Sequence, residues 1–228
     1  MHIPRWKKWL SYLFEMHIES SPGDLNPHLY VSLKRGRFQL CTKNAVYSYE
    51  DKYDNFKRIF SQLNLDFLQN GNVLILGFGL GSVPILLKQI GLNELSITGI
   101  ELDENVIYLA SKYALNKIDY PTEMIETDAA AFIFSTYEQY DLVVVDVFVD
   151  DIIPEQCRNL EFLEACKDRL TENGILLFNA LAATDEDKDE AEQLYFETFE
   201  KVFPTGKLVD VLGNYIFVSN KSALKNES

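Results

Sequence analysis

The sequence predicts an α/β protein with a doubly wound sheet of about seven strands. The strongest observation is the segment Val73–Ser82, in which an apolar run leads into three glycines at alternate positions. Such a run is typical of a strand that is covered on both faces, as in a parallel sheet. The second observation is that strand-like and helix-like segments alternate regularly after this turn, which is typical of repeated βα units.

The elements before the glycine turn form a predicted extension. Trp and other apolar residues at helical spacing predict an amphipathic helix over Trp6–Ile18. Alternating residues predict a hairpin of Leu29–Leu33 and Phe38–Cys41, and Val46–Tyr49 adds a short strand. Apolar residues on one side of Tyr53–Phe67 predict a further helix, which leads into the sheet.

The elements after the turn complete the sheet. The predicted helices are Val83–Ile90, Glu104–Asn116, Ala129–Phe134, Glu155–Leu170 and Glu186–Val202. The predicted strands are Leu95–Glu101, Glu123–Glu126, Leu142–Asp146, Ile175–Asn179, Gly206–Asp210 and Tyr215–Val218. No helical segment separates the last two strands, so we expect the last strand to run antiparallel at or near an edge. We expect an N-terminal helix and β-hairpin extension over residues 1–52, a ligand-binding domain over residues 53–228, and a loose tail from Asn220.

Composition excludes several classes of function. The net charge is −14, which argues against a nucleic-acid-binding protein and is compatible with either a cationic small molecule or a solvated acidic surface. No apolar run approaches the ~20 residues that span a bilayer, and no signal peptide is predicted. The three cysteines form no C-x-x-C pair, so we expect a reducing, cytoplasmic setting without disulfides or a metal site. All three histidines precede residue 53.

The spacing of the glycines narrows the type of ligand. Gly77, Gly79 and Gly81 form G-x-G-x-G, whereas a dinucleotide fingerprint needs G-x-G-x-x-G. Ser82 stands where that third glycine would be, and it can cap the following helix. We therefore expect a cofactor without a pyrophosphate, such as S-adenosylmethionine. The alternative is a glycine-rich turn that binds nothing.

Carboxylates end three successive strands after the turn. Glu101 lies about 20 residues past the glycines, the spacing expected for an acid that accepts ribose hydroxyls. Asp128 can accept from an adenine amino group or cap the helix that follows it. Asp146 follows a wholly apolar strand. Ligands of doubly wound sheets bind beyond the carboxyl ends of the strands, so the three acids favour an adenosyl cofactor.

The loop after Asp146 carries two further acids, Asp150 and Asp151. Crowded carboxylates can raise each other's pKa and supply a general base, or they can hold a cationic amine. The alternative is that they only keep the loop exposed and begin the next helix. Asp146 and Asp150 are the candidate catalytic residues.

The order of these motifs resembles the spermidine-synthase-like branch of the class I S-adenosylmethionine-dependent methyltransferase fold, over about Leu29–Val218. Val73–Gly81 is similar to the family's first motif, and Gly99–Asp103 to its ribose motif. Thr127–Ala129 is similar to its adenine motif, and Tyr140–Phe148 to its catalytic strand. The resemblance implies a Rossmann-like seven-stranded fold.

Departures from the family pattern bear on the chemistry. Leu80 stands where the family has an acid in the glycine turn, and Val149 where it has a second loop Asp. Ser48–Glu50 replaces the family's Tyr-His-Glu segment, and Asn44-Ala45 replaces an Asp-Glu pair. The resemblance implies that a loop Asp deprotonates an amine that attacks an aminopropyl sulfonium. Asp150 can fill that role only if the loop shifts by one residue.

Because of these departures, the leading prediction is a methyltransferase whose acceptor is unknown. The three glycines, Glu101, Asp128 and Asp146 are predicted to bind its S-adenosylmethionine. The first alternative is a polyamine aminopropyltransferase that uses decarboxylated S-adenosylmethionine. The second is a non-catalytic relative that acts as a binding module, favoured if Leu80 or Val149 fills the acceptor space. We expect a small-molecule acceptor, no nucleic acid and no membrane, and the aromatic N-terminal segment is compatible with a homodimer.

Overall fold

The computed structural model describes residues 4–43 and 45–225. Its helices are α1 (Arg5–Leu10), α2 (Asp54–Gln62), α3 (Ser82–Gln89), α4 (Glu104–Tyr113), α5 (Ala129–Ser135), α6 (Leu160–Asp168), α7 (Asp185–Leu194) and α8 (Glu200–Val202). Its strands are β1 (Met16–Ser20), β2 (Tyr30–Lys34), β3 (Arg37–Cys41), β4 (Val46–Ser48), β5 (Asn72–Leu76), β6 (Ser96–Glu101), β7 (Thr122–Glu126), β8 (Tyr140–Val145), β9 (Leu170–Ala182), β10 (Lys207–Asp210) and β11 (Gly213–Val218).

The large sheet confirms the predicted fold. Its seven strands are ordered β10-β11-β9-β8-β5-β6-β7, and β11 runs antiparallel to both of its neighbours while the remaining pairs are parallel. The chain leaves β5 toward β6 and later returns to its other side through β8. Strand order therefore reverses between β5 and β8, and a ligand crevice is expected beyond the carboxyl ends of these strands.

The N-terminal segment differs from the prediction. The helix expected over Trp6–Ile18 stops at Leu10, and Met16–Ser20 forms β1 instead. β1 pairs antiparallel with β2, so the predicted hairpin is the centre of a four-stranded sheet ordered β1-β2-β3-β4. Apolar Met16 and Ile18 alternate with polar residues, and pairing with β2 outweighs the helical spacing. Large apolar side chains of this segment remain exposed, Trp6 by 60% and Trp9 by 72%.

Three apolar clusters surround the two sheets. Two of them cover opposite faces of the large sheet, so residues 73–76 of β5 and 142–145 of β8 are buried. The third lies between the small sheet and α4, and it includes Leu80. This third cluster fixes the small sheet beside the glycine turn. None of the helices within residues 4–43 and 45–225 is long and apolar enough to cross a bilayer.

The described part of the tail is not loose, contrary to expectation. Leu224 forms a β-bridge with Leu63, and the Lys225 amide donates to the carbonyl of Gln62. These contacts tie the tail to the end of α2. Residues 226–228 lie outside the described part of the chain.

The three cysteines, Cys41, Cys157 and Cys166, are free and buried. Burial raises the pKa of Cys157 to about 12, with the nearby charge of Asp128 adding to the shift. Burial also raises the pKa of Cys41 and of Cys166. All three therefore remain thiols at neutral pH.

Candidate active site

A cavity of about 700 Å³ lies at the carboxyl ends of the central strands, within the size range of small-molecule sites. We call its first side the strand-end wall, formed by Gly77, Gly79, Glu101 and Asp128. We call its second side the loop wall, formed by Val149, Asp150 and Asp151 of the loop after β8 together with Tyr47 of β4. Thr42, in the turn between β3 and β4, bonds Asp150 but does not line the cavity. Asp146 lies in the lining, at the start of that loop.

The glycine turn needs glycine because of its own packing. All three glycines have positive φ, from 55° to 86°. A Cβ on Gly77 would lie 2.1 Å from the carbonyl oxygen of Asp146, and one on Gly81 would lie 2.6 Å from Ile118. Gly77 and Gly79 line the cavity, whereas Gly81 does not and instead precedes α3.

Ser82 does not cap α3, contrary to expectation. The residue before the helix is Gly81 in a left-handed conformation, with no side-chain cap. The Ser82 hydroxyl instead lies 2.7 Å from that of Ser48 and accepts from the Tyr49 amide at 3.0 Å. Ser82 therefore joins the glycine turn to β4 of the small sheet.

Glu101 is held by the backbone around it. Its Oε1 accepts from the amides of Leu102 and Asp103 at 2.9 and 3.2 Å, and its Oε2 accepts from the Gly79 amide at 3.2 Å. A carboxylate has about four acceptor sites, so these bonds leave room for a further donor such as a ribose hydroxyl. Burial raises the pKa of Glu101, and the three amide bonds oppose that shift.

Asp128 caps a helix, which is one of the two roles expected of it. Its Oδ1 accepts from the Ala131 amide at 2.9 Å, which caps α5. Its Oδ2 lies 3.4 Å from Nε2 of Gln156, and the residue also lines the cavity. The cap fixes the carboxylate, and the same group remains within reach of a ligand donor.

Asp146 is bound by side chains that the sequence analysis did not identify. Asn179 Nδ2 donates to Oδ1 at 2.7 Å, and Tyr53 Oη donates to the same atom at 3.3 Å. Asn214 Nδ2 in turn donates to Oδ1 of Asn179 at 2.9 Å. Burial raises the pKa of Asp146 to about 7, opposed by the bonds from Asn179 and Tyr53 and reinforced by the charge of Glu101. A carboxyl that titrates near neutrality in a cavity is suited to proton transfer.

The loop after Asp146 makes a tight turn. Val149 and Ile152 exchange backbone hydrogen bonds at 2.9 and 3.1 Å, and Asp150 between them has φ 56°. The Asp150 amide donates to Tyr47 Oη, and Thr42 Oγ1 donates to Asp150 Oδ1 at 2.6 Å. The turn thus places Val149, Asp150 and Asp151 together in the lining of the cavity.

The positions that depart from the family pattern have distinct surroundings. Leu80 is fully buried in the third apolar cluster and does not line the cavity, so it does not fill the ligand space. Glu50 accepts from the Phe38 amide and pairs with Lys117 at 2.7 Å, away from the cavity lining. Asn44 lies outside the described residues. Within residues 4–43 and 45–225, no group of three His, Cys, Asp or Glu could hold a metal.

Sequence reasoning missed the residues that support the acids. Asn179 ends the predicted fifth parallel strand, so its position at the carboxyl edge was a usable signal. Asn214 and Tyr53 had no comparable signal, because they reach the site through the antiparallel pairing of β11 and the docking of α2. Thr42 and Tyr47 depend on where the small sheet packs.

The family model and two curated relatives indicate the same family. The model of the spermine/spermidine synthase domain matches residues 56–209. A probable polyamine aminopropyl transferase from Bifidobacterium longum is 30% identical over 135 residues, which cover 59% of this chain and 29% of that protein. A polyamine aminopropyltransferase from Vibrio vulnificus is 28% identical over 158 residues, covering 68% and 52%. The chain thus spans about half or less of the length of these relatives.

A structural comparison agrees with the fold. The crystal structure of spermidine synthase from Thermotoga maritima has a TM-score of 0.63 and 19% identity, over 89% of this chain and 72% of that one. The sheet, its switch-point crevice and the acidic strand ends define a protein of the class I methyltransferase-like fold. Within that class, the chain belongs to the spermine/spermidine synthase domain family.

The leading prediction of a methyltransferase with an unknown acceptor is wrong. The matching family and both of these curated relatives are named for polyamine synthesis or aminopropyl transfer, which was the first alternative. The sequence argument gave too much weight to Leu80 and Val149. Leu80 packs in the core, and the turn of the loop brings Asp150 to the cavity beside Val149.

Proposed function

We propose that this protein is a polyamine aminopropyltransferase that transfers an aminopropyl group from decarboxylated S-adenosylmethionine to an amine. The observation that carries the proposal is Asp146, a cavity carboxyl whose pKa is raised to about 7 and which shares its cavity with Asp150. Membership of the spermine/spermidine synthase domain family supports the same reaction.

The strand-end wall fits the adenosyl part of the donor. Glu101 retains acceptor capacity for a ribose hydroxyl, and Asp128 Oδ2 can accept from the adenine amino group. Gly77 and Gly79 keep the turn free of side chains beside this wall. The donor supplies a sulfonium, whose neighbouring carbon is open to displacement by an amine.

The loop wall and Asp146 fit the acceptor. An ammonium has no lone pair, so the acceptor must first give a proton to a carboxylate, and Asp146 is suited to take it near pH 7. The lone pair of the free amine then forms the C–N bond while the C–S electrons return to sulfur, which leaves as a neutral thioether. The positive charge passes from sulfur to the new secondary ammonium. Asp150 and Asp151 can hold the cationic acceptor in line for this displacement.

The test is aminopropyl transfer measured by mass spectrometry. We expect the protein to convert decarboxylated S-adenosylmethionine and 1,4-diaminobutane or a triamine into the extended polyamine. Asp146→Asn should lower kcat by roughly 10²- to 10⁴-fold, since it removes the proton acceptor but preserves an oxygen for Asn179. Asp189→Asn, an exposed acid outside the cavity lining, is the matched control.

Two results would contradict this function. One is the absence of transfer to any diamine or triamine by a protein that binds the donor in calorimetry. The other is an Asp146→Asn variant as active as the Asp189→Asn control.

A further inference from the structure

Asp150 has a backbone conformation that its surroundings must maintain. Its φ of 56° is left-handed, a region that Asp adopts more readily than most residues with a Cβ, and hydrogen bonds from its neighbours help to hold it there. The bridge between Val149 and Ile152 closes the turn around it. Two hydroxyl groups complete its support, those of Tyr47 in β4 and Thr42 in the turn between β3 and β4.

The Tyr47 hydroxyl is bonded on both sides. It accepts from the Asp150 amide and donates to Asn26 Oδ1 at 3.1 Å. Asn26 Nδ2 donates to Asp103 Oδ2 at 2.8 Å, and the Asp103 amide bonds Glu101. A single hydrogen-bonded series therefore joins the turn at Asp150 to the carboxylate of the strand-end wall.

Thr42 acts on the Asp150 side chain rather than on its backbone. Its hydroxyl donates to Oδ1 at 2.6 Å, a bond that fixes the direction of the carboxylate. Burial raises the pKa of Tyr47, with the charges of Asp150 and Glu101 also raising it and the amide bond from Asp150 opposing. The Tyr47 hydroxyl is therefore neutral and keeps the proton that it donates to Asn26.

We propose that Thr42 and Tyr47 are positioning residues that hold Asp150 as the second acid of the acceptor site. The left-handed turn brings this carboxylate to the cavity one residue beyond Val149, where the sequence has no acid. This inference rests on the proposed function. It adds that the small sheet, and not the loop alone, determines where the second acid lies.

The first experiment is a double-mutant cycle with 1,4-diaminobutane as acceptor. Tyr47→Phe should lower kcat roughly three- to tenfold, since one hydrogen bond to the turn is lost. The same substitution in an Asp150→Asn background should have no further effect, because the group it positions is already absent. Tyr120→Phe, which removes a remote buried hydrogen bond to the Leu92 carbonyl, should leave kcat unchanged.

The second experiment varies Thr42 and measures the loop itself. The kcat of Thr42→Ser should equal that of the wild type. The kcat of Thr42→Val should fall about as much as that of Tyr47→Phe. Hydrogen exchange of a peptide over residues 148–153 should be faster in Tyr47→Phe and unchanged in Tyr120→Phe. This readout does not require turnover, so it tests the support of the turn even if aminopropyl transfer is not found.

Three results would overturn the inference. The first is an equal loss from Tyr47→Phe with and without Asp150→Asn, which would mark a general structural role. The second is full activity of Thr42→Val. The third is unchanged hydrogen exchange over residues 148–153 in Tyr47→Phe. If the wild type transfers no aminopropyl group while Tyr47→Phe still speeds exchange of the loop, the proposed function fails, but the support of the turn remains.

Discussion

The strand-end wall and the loop wall hold their carboxylates in different ways. Glu101 and Asp128 accept mainly from amides within three residues of themselves, at Leu102, Asp103 and Ala131, and the more distant donors are Gly79 and Gln156. Asp150 bonds to hydroxyls that are 103 and 108 residues away in the chain. The difference shows that the strand-end wall follows from local backbone geometry, whereas the loop wall depends on the packing of a second sheet. Changes to the small sheet should therefore affect the loop wall directly, and the strand-end wall only through the hydrogen-bonded series from Tyr47 to Glu101.

Among changes that separate the two walls, the largest effect should come from the strand-end wall itself. In Glu101→Gln, the side chain loses its negative charge and one of its two oxygens is replaced by NH₂. This NH₂ group would face backbone amides that are also donors, so one of the present hydrogen bonds could not form. We expect affinity for decarboxylated S-adenosylmethionine to fall roughly 10- to 100-fold, as for hydrogen bonds to a charged group. Calorimetric titration of the donor measures this.

The acceptor KM of Glu101→Gln should stay within about twofold of the wild type if the walls are independent. Glu94→Gln, an exposed acid that precedes β6, is the control and should bind the donor normally. Unchanged donor affinity in Glu101→Gln would remove this residue from the site, and a parallel rise in acceptor KM would show that the walls are coupled.

An intermediate effect should come from moving the acid of the loop wall. Val149 is 40% exposed and lines the cavity, so Val149→Asp creates no buried gap. The double variant Val149→Asp/Asp150→Asn should be roughly tenfold more active than Asp150→Asn alone. Recovery should be incomplete, because the new carboxylate lacks the bond from Thr42. Full recovery, or none, would contradict the view that the support of Asp150 is part of its function.

The smallest effect should be a shift in pH dependence. The bond from Asn179 lowers the pKa of Asp146, so Asn179→Ala should raise it further above the value of about 7. Because Asp146 acts as a carboxylate, activity rises with pH through its pKa, and the midpoint should move upward by less than about one unit. Asn214→Ala, which touches Asp146 only through Asn179, should shift the midpoint less. A downward shift in the profile of kcat/KM would contradict this assignment.

The same contrast explains what the sequence could predict. The βα alternation predicts the sheet and its acidic strand ends, because each acid follows an apolar run and capping is a local interaction. The N-terminal helix over Trp6–Ile18 was wrong beyond Leu10, since β1 forms only against β2. The role of Thr42 and Tyr47 had no sequence signal, because their partner Asp150 lies more than 100 residues away, in the loop after β8.

The buried thiols provide a way to measure local opening rates in different parts of the molecule. Cys41 adjoins Thr42 at the loop wall, Cys157 lies among the cavity-lining residues near Asp128, and Cys166 is fully buried in α6. Raised pKa values make all three unreactive while covered, so alkylation of the native protein proceeds only through opening. The rate at Cys41 then reports how often β3 of the small sheet opens, and the rate at Cys157 how often the segment near Asp128 opens, with Cys166 as the reference for global unfolding.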